Sequence, residues 1–538
     1  MFGAGGGTSS YEEVRDVADL IVLWGSNARE AHPIFFLHVL KALGRGARLI
    51  VVDPRYSATA RFADLWLGLD VGTDIPLANA VAREIVHAGL VHEEFVSRAT
   101  TGFEEFRESV EPWTLAEAER VTGVPGAAIR ELAHAYGTAA HAQLCWTLGI
   151  TEHHNAVDNV LALINLSLLT GHVGRHGSGL QPLRGQNNVQ GGGDMGAIPN
   201  RLPGFQDLLD PVARAKFDAA WDTAIPPRPG LHLTGMFEAM EHGELTAVYC
   251  VGENPAQGEA DQRRAIRLLE GLDHLVVQDL FLTSTAELAD VVLPAASTLG
   301  EVEGTVTSSE RRVQRVRKAI EPPGGARDDI ELVYRLAKAL GHDLGSDRPE
   351  DVWDEVRMLS PMHAGMSYAR LEQLGGIQWP CWDESHPGDQ LLHGRLWDDV
   401  VADPAPFHAV EHDPPVDVLD SEFPLRLTTG RRLESFNTGV QSGGFSSPLH
   451  DGGEAILLSP ADGARFGIAD GSRARVISRR GAVEAPVRFD HRLRPGLAFM
   501  NFHFPELVAT NVLTIDATDP KSGTAEFKAT AIRIEPVA

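Results

Sequence analysis

Residues 19–24 form a short apolar run that ends in Gly25-Ser26-Asn27. Residues 33–43 follow with helical periodicity, and residues 47–52 make a second apolar run ending in Asp53-Pro54-Arg55. Strand, polar turn, helix, strand is a βαβ unit, which implies a parallel sheet. Ligands of such sheets bind at the carboxyl ends of the strands. The turns at residues 25–30 and 53–55 occupy two such ends, although either also reads as a plain turn before a helix.

The same grammar continues along the chain. Helices are expected at residues 75–88, 115–122, 126–135 and 155–170, and a strand at 141–146. The stretch 171–196 is too long and too glycine-dense for an ordinary connection. A second α/β pattern begins near residue 245, with strands at 246–251, 274–278 and 289–293 and a helix at 264–272. Its first two strands end in Gly252-Glu253-Asn254-Pro255 and Gln278-Asp279, repeating the theme of the first half. Residues 383–423 are rich in Pro, Asp and His and read as a linker or extended crossing. Short strands follow at 425–429, 455–458, 472–478, 482–489, 497–502 and 526–534, the pattern of a small β-barrel.

Composition narrows the function. A chain of 538 residues is too long for a single core. A formal net charge of −27 argues against nucleic acid as a partner. The one basic cluster, residues 311–318, reads as a solvated strand face. The longest apolar run, residues 160–169, contains Asn165 and falls short of the roughly 20 residues that span a bilayer, so it reads as a buried helix. The N-terminus has no basic region or signal-like core, and a cytoplasmic location is expected. The three cysteines, Cys145, Cys250 and Cys381, form no CxxC, so no metal ligand is assigned to them. Cys145 and Cys250 are expected to be buried. His153-His154 reads as a solvated loop, His32 as a packing residue, and Glu301 and Glu303 as caps of a turn. A nicotinamide-dependent dehydrogenase is the plain alternative, but no strand here runs into GxGxxG.

One segment stands apart: Pro182-Leu183-Arg184-Gly185-Gln186-Asn187-Asn188-Val189-Gln190-Gly191. Its arginine sits among glycines and carboxamides with no charged neighbour in sequence. A guanidinium is a planar fork that grips a carboxylate through two parallel hydrogen bonds. Arg184 therefore reads as aimed at a small anion or a cofactor.

These segments together resemble the molybdopterin oxidoreductases that bind bis-molybdopterin guanine dinucleotide, and within them the catalytic subunit of formate dehydrogenase. The motifs are residues 25–33, 52–55, 183–191, Asp194-Met195-Gly196, 252–255, Thr428-Thr429-Gly430-Arg431 and Glu526-Phe527-Lys528. The fold this implies is α/β, with two parallel-sheet nucleotide-binding domains and a C-terminal, double-psi-like β-barrel. The boundaries are residues 1–186, 187–390, a linker at 391–420, and 421–538. The resemblance implies that Arg184 orients formate beside molybdenum or tungsten, and that Gly185 and Gln186 contact the pterin. It implies that Ser26, Asn27, Glu30, Asp53, Arg55, Gly72 and Thr73 line one guanine dinucleotide and Glu253, Asn254, Gln278 and Asp279 the other. Arg431, His503, Asn511 and Lys528 would close over the cofactor. The implied reaction interconverts formate and carbon dioxide, with electrons leaving through a 4Fe–4S cluster.

The chain departs from the resemblance at its start. Family members carry the cysteines of the 4Fe–4S cluster, and then a Cys or selenocysteine followed by His, ahead of a segment like residues 2–10. Here that segment follows Met1 directly. The expectation is a catalytic portion that is inactive on formate alone, completed by an N-terminal segment or an electron-transfer subunit with iron–sulfur clusters. A non-catalytic scaffold subunit and another enzyme of the same type, such as a nitrate reductase, remain open.

Overall fold

The computed structural model describes residues 5–433, 435–440 and 454–537; residues 2–4 of the segment at 2–10 lie outside that range. The chain divides into two compact units. The first joins Met1–Leu183 with Pro255–Arg267 and Leu391–Ala538; the second joins Arg184–Asn254 with Leu268–Gln390.

The first unit is built on five parallel strands: β1 (Leu20–Trp24), β2 (Arg48–Val52), β3 (Leu65–Leu67), β4 (Ala142–Trp146) and β5 (Gly179–Pro182). Their order is β3-β2-β1-β4-β5. Alternate side chains of β1 enter two separate cores. Leu20, Val22 and Trp24 pack on one face of the sheet, and Ile21 and Leu23 on the other. The period of two explains why the strand is apolar throughout, since both faces are covered. The expected helices form at Pro33–Gly44, Asp74–His87, Leu115–Thr122, Gly126–Thr138 and Ala156–Thr170. Pro33 opens its helix in the first turn, where a missing N–H leaves nothing unsatisfied.

Asn165 lies fully buried inside the helix Ala156–Thr170. Its Nδ2 donates to the His408 carbonyl at 2.7 Å, and its Oδ1 accepts from the His408 N–H at 3.2 Å. Asn79 and Asn155 donate in the same way to the carbonyls of Val410 and Asp413, each at 3.2 Å. The Pro-rich crossing is thus pinned to the first unit by buried carboxamides.

The barrel closes through Leu425–Thr429, Leu497–Met500, Ile456–Leu458, Ala482–Phe489, Arg473–Ile477 and Thr530–Pro536, in that order. Leu425, Leu427, Ile456, Leu458, Val476 and Val487 alternate into its core. The last strand begins later than the sequence pattern suggests. Glu526 Oε1 accepts from the Lys528 N–H at 2.8 Å and holds those residues in a turn.

The second unit carries a parallel sheet of Ala247–Val251, His274–Asp279 and Val291–Pro294, with His274–Asp279 in the middle. An antiparallel hairpin, Gly304–Thr307 with Arg312–Val316, is extended by Ile377–Gln378. The glycine-dense stretch 171–196 supplies β5 and the helix Val189–Asp194. The basic cluster does form a strand, but it is not solvated throughout. Arg311 is fully buried. It donates to the carbonyls of Trp379, Asp389 and Gln390, the last two at 2.9 Å, and lies over the Trp379 ring. Carbonyl dipoles replace the water that the guanidinium gives up. Glu301 caps as expected, accepting from the Ser297 N–H at 2.8 Å, whereas Glu303 pairs with Arg315.

Replacing Asn165 with Leu would remove both hydrogen bonds to the half-buried His408 backbone, at a cost of about 1–3 kcal/mol. The expected outcome for Asn165→Leu is a clear fall in the urea midpoint with the fold retained by circular dichroism.

Candidate cofactor and anion site

The strand order of the first unit reverses between β1 and β4, and this opens a crevice at their carboxyl ends. The two loops that leave these strands touch backbone to backbone. Gly25 has φ +58°, and a Cβ there would lie 2.8 Å from the Gly149 carbonyl carbon. A Cβ on Gly149 would lie 2.5 Å from Gly25 O. Thr147 Oγ1 and Gly149 N–H both donate to Gly25 O, at 2.7 and 3.2 Å. Only glycine fits either position.

The polar residues follow directly. Ser26 is fully buried, and its Oγ has no partner among the described residues. Asn27 accepts from Thr59 N–H and Oγ1–H, at 3.3 and 2.9 Å, and donates to Glu30 Oε2 at 2.7 Å. Asp53, at the end of β2, accepts from the Arg55 N–H at 2.8 Å. Burial pushes its carboxyl up against the pull of Arg55 and Lys528. Gly72 has φ +83°, and a Cβ there would strike the Pro415 ring at 2.5 Å. Thr73 Oγ1 donates to the Asp70 carbonyl at 2.6 Å. Both residues shape a turn.

A cavity of about 210 Å³ lies within this unit. Asn27, Glu30, Arg55, Ser57 and Arg61 line it from the α/β layer, and Arg431, Arg432, Arg488, Asp490, Arg492 and Asn501 from the barrel. Six arginines face two carboxylates, in a chain whose net charge is −27. Arg55 stacks on Phe499 at 3.6 Å from the ring centroid. The absence of a side chain at Gly430 leaves room for that stack, because a Cβ would sit 3.0 Å from the ring. Arg431 donates to Asn437 Oδ1 at 3.3 Å, while its Nε is buried with no partner among the described residues. Burial lowers its pKa. With Arg431 Nε buried and unpartnered among the described residues, and five further guanidinium groups in the lining, the cavity has the donors for phosphate.

The other barrel residues anchor neighbouring segments. His503 Nε2 accepts from the Arg432 N–H at 3.2 Å, which places the proton on Nδ1, 2.5 Å from the Asn437 carbonyl. Asn511 Nδ2 donates to the carbonyls of Gln257 and Gly258 at 3.1 and 3.2 Å. Lys528 pairs with Glu152 at 2.6 Å and donates to the Thr429 carbonyl at 3.2 Å, so its charge is already matched.

His153 and His154 are not solvated, as the sequence had suggested: they are 2% and 7% exposed. His153 Nδ1 lies 3.2 Å from Glu526 Oε2, and its Nε2 lies 3.2 Å from the Gly149 carbonyl. Both partners only accept, so both ring nitrogens carry protons. Burial opposes that charge, but Glu526 and Asp74 outweigh it and raise His153. His154 is raised chiefly by its hydrogen bond to Glu526, with Asp413 adding to it. Burial alone would raise Glu526; the two histidines and the Lys528 N–H overturn that and hold it far below the usual carboxylate range.

In the second unit Arg184 is partly buried, and burial lowers its pKa. It is not isolated from acids, contrary to the reading from sequence. Its Nε donates to Gln190 Oε1 at 3.2 Å, and Gln190 Nε2 donates to Asp194 Oδ1 at 2.8 Å. Gly185 is exposed and Gln186 half-buried. At the carboxyl ends of the sheet, Asn254 Oδ1 accepts from Ser284 Oγ–H, Thr285 N–H and Thr285 Oγ1–H at 3.0, 3.1 and 2.8 Å. Gln278 accepts from the Tyr249 hydroxyl and donates to Asp329. Asp279 is half-buried and accepts from the Leu280 N–H at 2.6 Å, and Glu253 is exposed.

Residues 8–339 match the molybdopterin oxidoreductase family, and residues 425–531 match the molybdopterin dinucleotide binding domain. The chain belongs to the molybdopterin oxidoreductase family. Among its relatives, the F420-dependent formate dehydrogenase subunit alpha of Methanocaldococcus jannaschii is 38% identical over 540 residues, covering 99% of this chain and 79% of that protein. Formate dehydrogenase H of Escherichia coli is 35% identical over 541 residues, covering 100% of this chain and 75% of that protein. The fold is shared with acetylene hydratase from Pelobacter acetylenicus, at a TM-score of 0.74 and 20% identity, over 99% of this chain and 79% of that one.

Family membership accounts for the α/β layers and the barrel. Arg61, Arg432, Arg488 and Arg492 escaped the sequence reading, because nothing local distinguishes them from surface arginines. Thr147 and Gly149 were legible in principle: they follow a buried strand, as Gly25 does. Cys145, Cys250 and Cys381 are single and buried, and burial pushes the Cys250 thiol up to about 11.

Glu526→Gln would leave a buried imidazolium without its counter-charge, costing about 3–5 kcal/mol. Glu526 is lowered, so its contribution is present above the ordinary carboxylate pKa of about 4.3 and is lost as pH falls below it. The histidines are raised, so theirs is full below about 6.5 and lost as pH rises through their folded values. The stability difference between wild type and Glu526→Gln, followed by urea unfolding, should therefore peak between those limits.

Proposed function

We propose that this chain is the catalytic portion of a formate dehydrogenase holding molybdenum or tungsten in bis-molybdopterin guanine dinucleotide. The observation that carries this is Arg184, a partly buried guanidinium in a chain 35–40% identical to formate dehydrogenase alpha subunits along its whole length. The reaction is HCOO⁻ → CO2 + H⁺ + 2e⁻. When bound, the metal centre accepts the electron pair.

The donor set of the first unit fits a guanine dinucleotide. Arg55, Arg431 and their neighbours match pyrophosphate oxygens. Glu30 and Asp53 match guanine N–H groups or ribose hydroxyls, and Ser26 offers an unused buried hydroxyl. His503 and Lys528 hold the barrel segment that carries Arg431 and Arg432, and Asn511 holds residues 257–258 against the barrel. In the second unit Glu253 and Asp279 serve a second dinucleotide, with Asn254 and Gln278 shaping their loops. Gly185 and Gln186 would contact the pterin. Arg184 grips the formate carboxylate through two charge-assisted hydrogen bonds and turns the C–H bond toward the metal. A 4Fe–4S cluster supplied by a partner or by a further segment of the protein would carry the electrons onward. No helix among the described residues is long and apolar enough to cross a membrane, and a cytoplasmic location suits this role.

Protein purified from a host that makes the cofactor should contain molybdenum or tungsten, with guanine nucleotide in twofold excess over metal after acid release. Lack of guanine nucleotide would overturn the cofactor assignment. Arg184→Lys should keep metal and nucleotide but lower kcat/KM for formate in the holoenzyme about 10²-fold, since Lys offers a point charge instead of a fork. An unchanged kcat/KM would remove Arg184 from the substrate site.

A further inference from the structure

Arg184 belongs to a hydrogen-bonded chain within the second unit. Its Nε donates to Gln190 Oε1 at 3.2 Å, Gln190 Nε2 donates to Asp194 Oδ1 at 2.8 Å, and Trp379 Nε1 donates to Asp194 Oδ2 at 2.8 Å. Gln190 and Asp194 are one helical turn apart on Val189–Asp194, and they are 3% and 1% exposed. A carboxamide has a donor end and an acceptor end. Asp194 when ionised only accepts, so it takes the Gln190 amino group and turns the Gln190 oxygen toward Arg184.

We infer that Gln190 and Asp194 are positioning residues for Arg184: Gln190 fixes the plane of the guanidinium fork, and the ionisation of Asp194 sets how strongly that fork holds an anion. The groups facing Asp194 are Gln190 on its own helix, Trp379, and the guanidinium groups of Arg184 and Arg311. The Asp194 backbone carbonyl is occupied separately, by the N–H groups of Gly204 and Phe205 at 2.7 and 3.2 Å. Burial pushes the Asp194 carboxyl up to about 6, against the hydrogen bonds from Gln190 and Trp379 and the weaker pull of both arginines. Ionised Asp194 offsets the positive field at Arg184, and neutral Asp194 leaves it whole. An anion on Arg184 in turn raises Asp194 further, so binding and protonation are linked. Formate thus binds more tightly with Asp194 neutral, and a neutral product leaves the ionised state undisturbed.

The inference rests on the formate reading, and calorimetry of formate binding to the cofactor-loaded holoenzyme, kept chemically reduced so that no formate is oxidised, separates the two. Titrations between pH 5.5 and 7.5, in buffers of different ionisation heat, should show net proton uptake on binding and a Kd that rises about three- to tenfold across the range. In Asp194→Asn the uptake should vanish and the Kd should become flat with pH. In Gln190→Met the pH dependence should persist, because Asp194 remains, while kcat falls about tenfold with a smaller change in KM. A residue that only supported the helix would shift neither profile. Proton uptake that persists in Asp194→Asn, absence of uptake in wild type, or wild-type kinetics in Gln190→Met would overturn the inference. A wild-type holoenzyme that does not bind formate at all would instead overturn the formate reading. The wild-type measurement needs no variant to fold.

Discussion

The first unit depends on the contact between Gly25 and Gly149, where two loops meet with no side chain between them. β1 and β4 are neighbours, so their exit loops must either part or touch. Touching fixes the direction in which each chain leaves. On one side this aims Ser26 and Asn27 along the crevice. On the other it starts the short helix Leu148–Thr151, which delivers Glu152, His153 and His154. Those residues take hold of the barrel: Glu152 pairs with Lys528, and the histidines surround Glu526. A side chain at residue 149 would therefore disturb more than one turn. It would shift the cation pair that keeps the barrel's final loop in register with the sheet.

Electrostatics follows the same route from backbone to site. The protein as a whole is strongly acidic, yet it gathers six arginines around one small cavity. Such a cluster repels itself and is costly to desolvate. Stacking on Phe499 and a hydrogen bond to Asn437 offset part of that cost for Arg55 and Arg431. The remainder is available as affinity for a polyanion. Net charge is felt over a Debye length of about 10 Å and is screened by salt, whereas the cavity acts at contact distance. The global charge and the local site can thus have opposite signs without conflict.

What the sequence made legible follows from how local each signal is. β1, β2, β4 and the barrel strands were legible because burial imposes a period of two or a continuous apolar run on neighbouring residues. The helix around Asn165 was legible as buried, but not the reason for its asparagine, which lies in a backbone carbonyl of residue 408. His153 and His154 were misread as solvated, because their counter-charge sits beyond residue 520 and no spacing rule connects them. Glu526 and Lys528 marked a family motif in sequence, whereas their pairing with residues 152–154 is purely tertiary. Arg184 was legible as unusual, but its acid was not: the Gln190–Asp194 step needs a helix in a stretch whose three consecutive glycines argue against one.

Arg184 and Arg311 show how one unit can give two identical groups different work. Arg311 is fully buried and bonded to carbonyls, which neither titrate nor move with pH, so its charge is permanently compensated. Arg184 meets a carboxamide first and a carboxylate only beyond it. A carboxamide holds orientation but carries no charge, so the fork is fixed while its field stays adjustable. A direct Arg184–Asp194 ion pair would reverse this, with the acid competing with a substrate carboxylate for the same nitrogens. Interposing Gln190 separates geometry from charge, which a site that must bind an anion and release a neutral product requires.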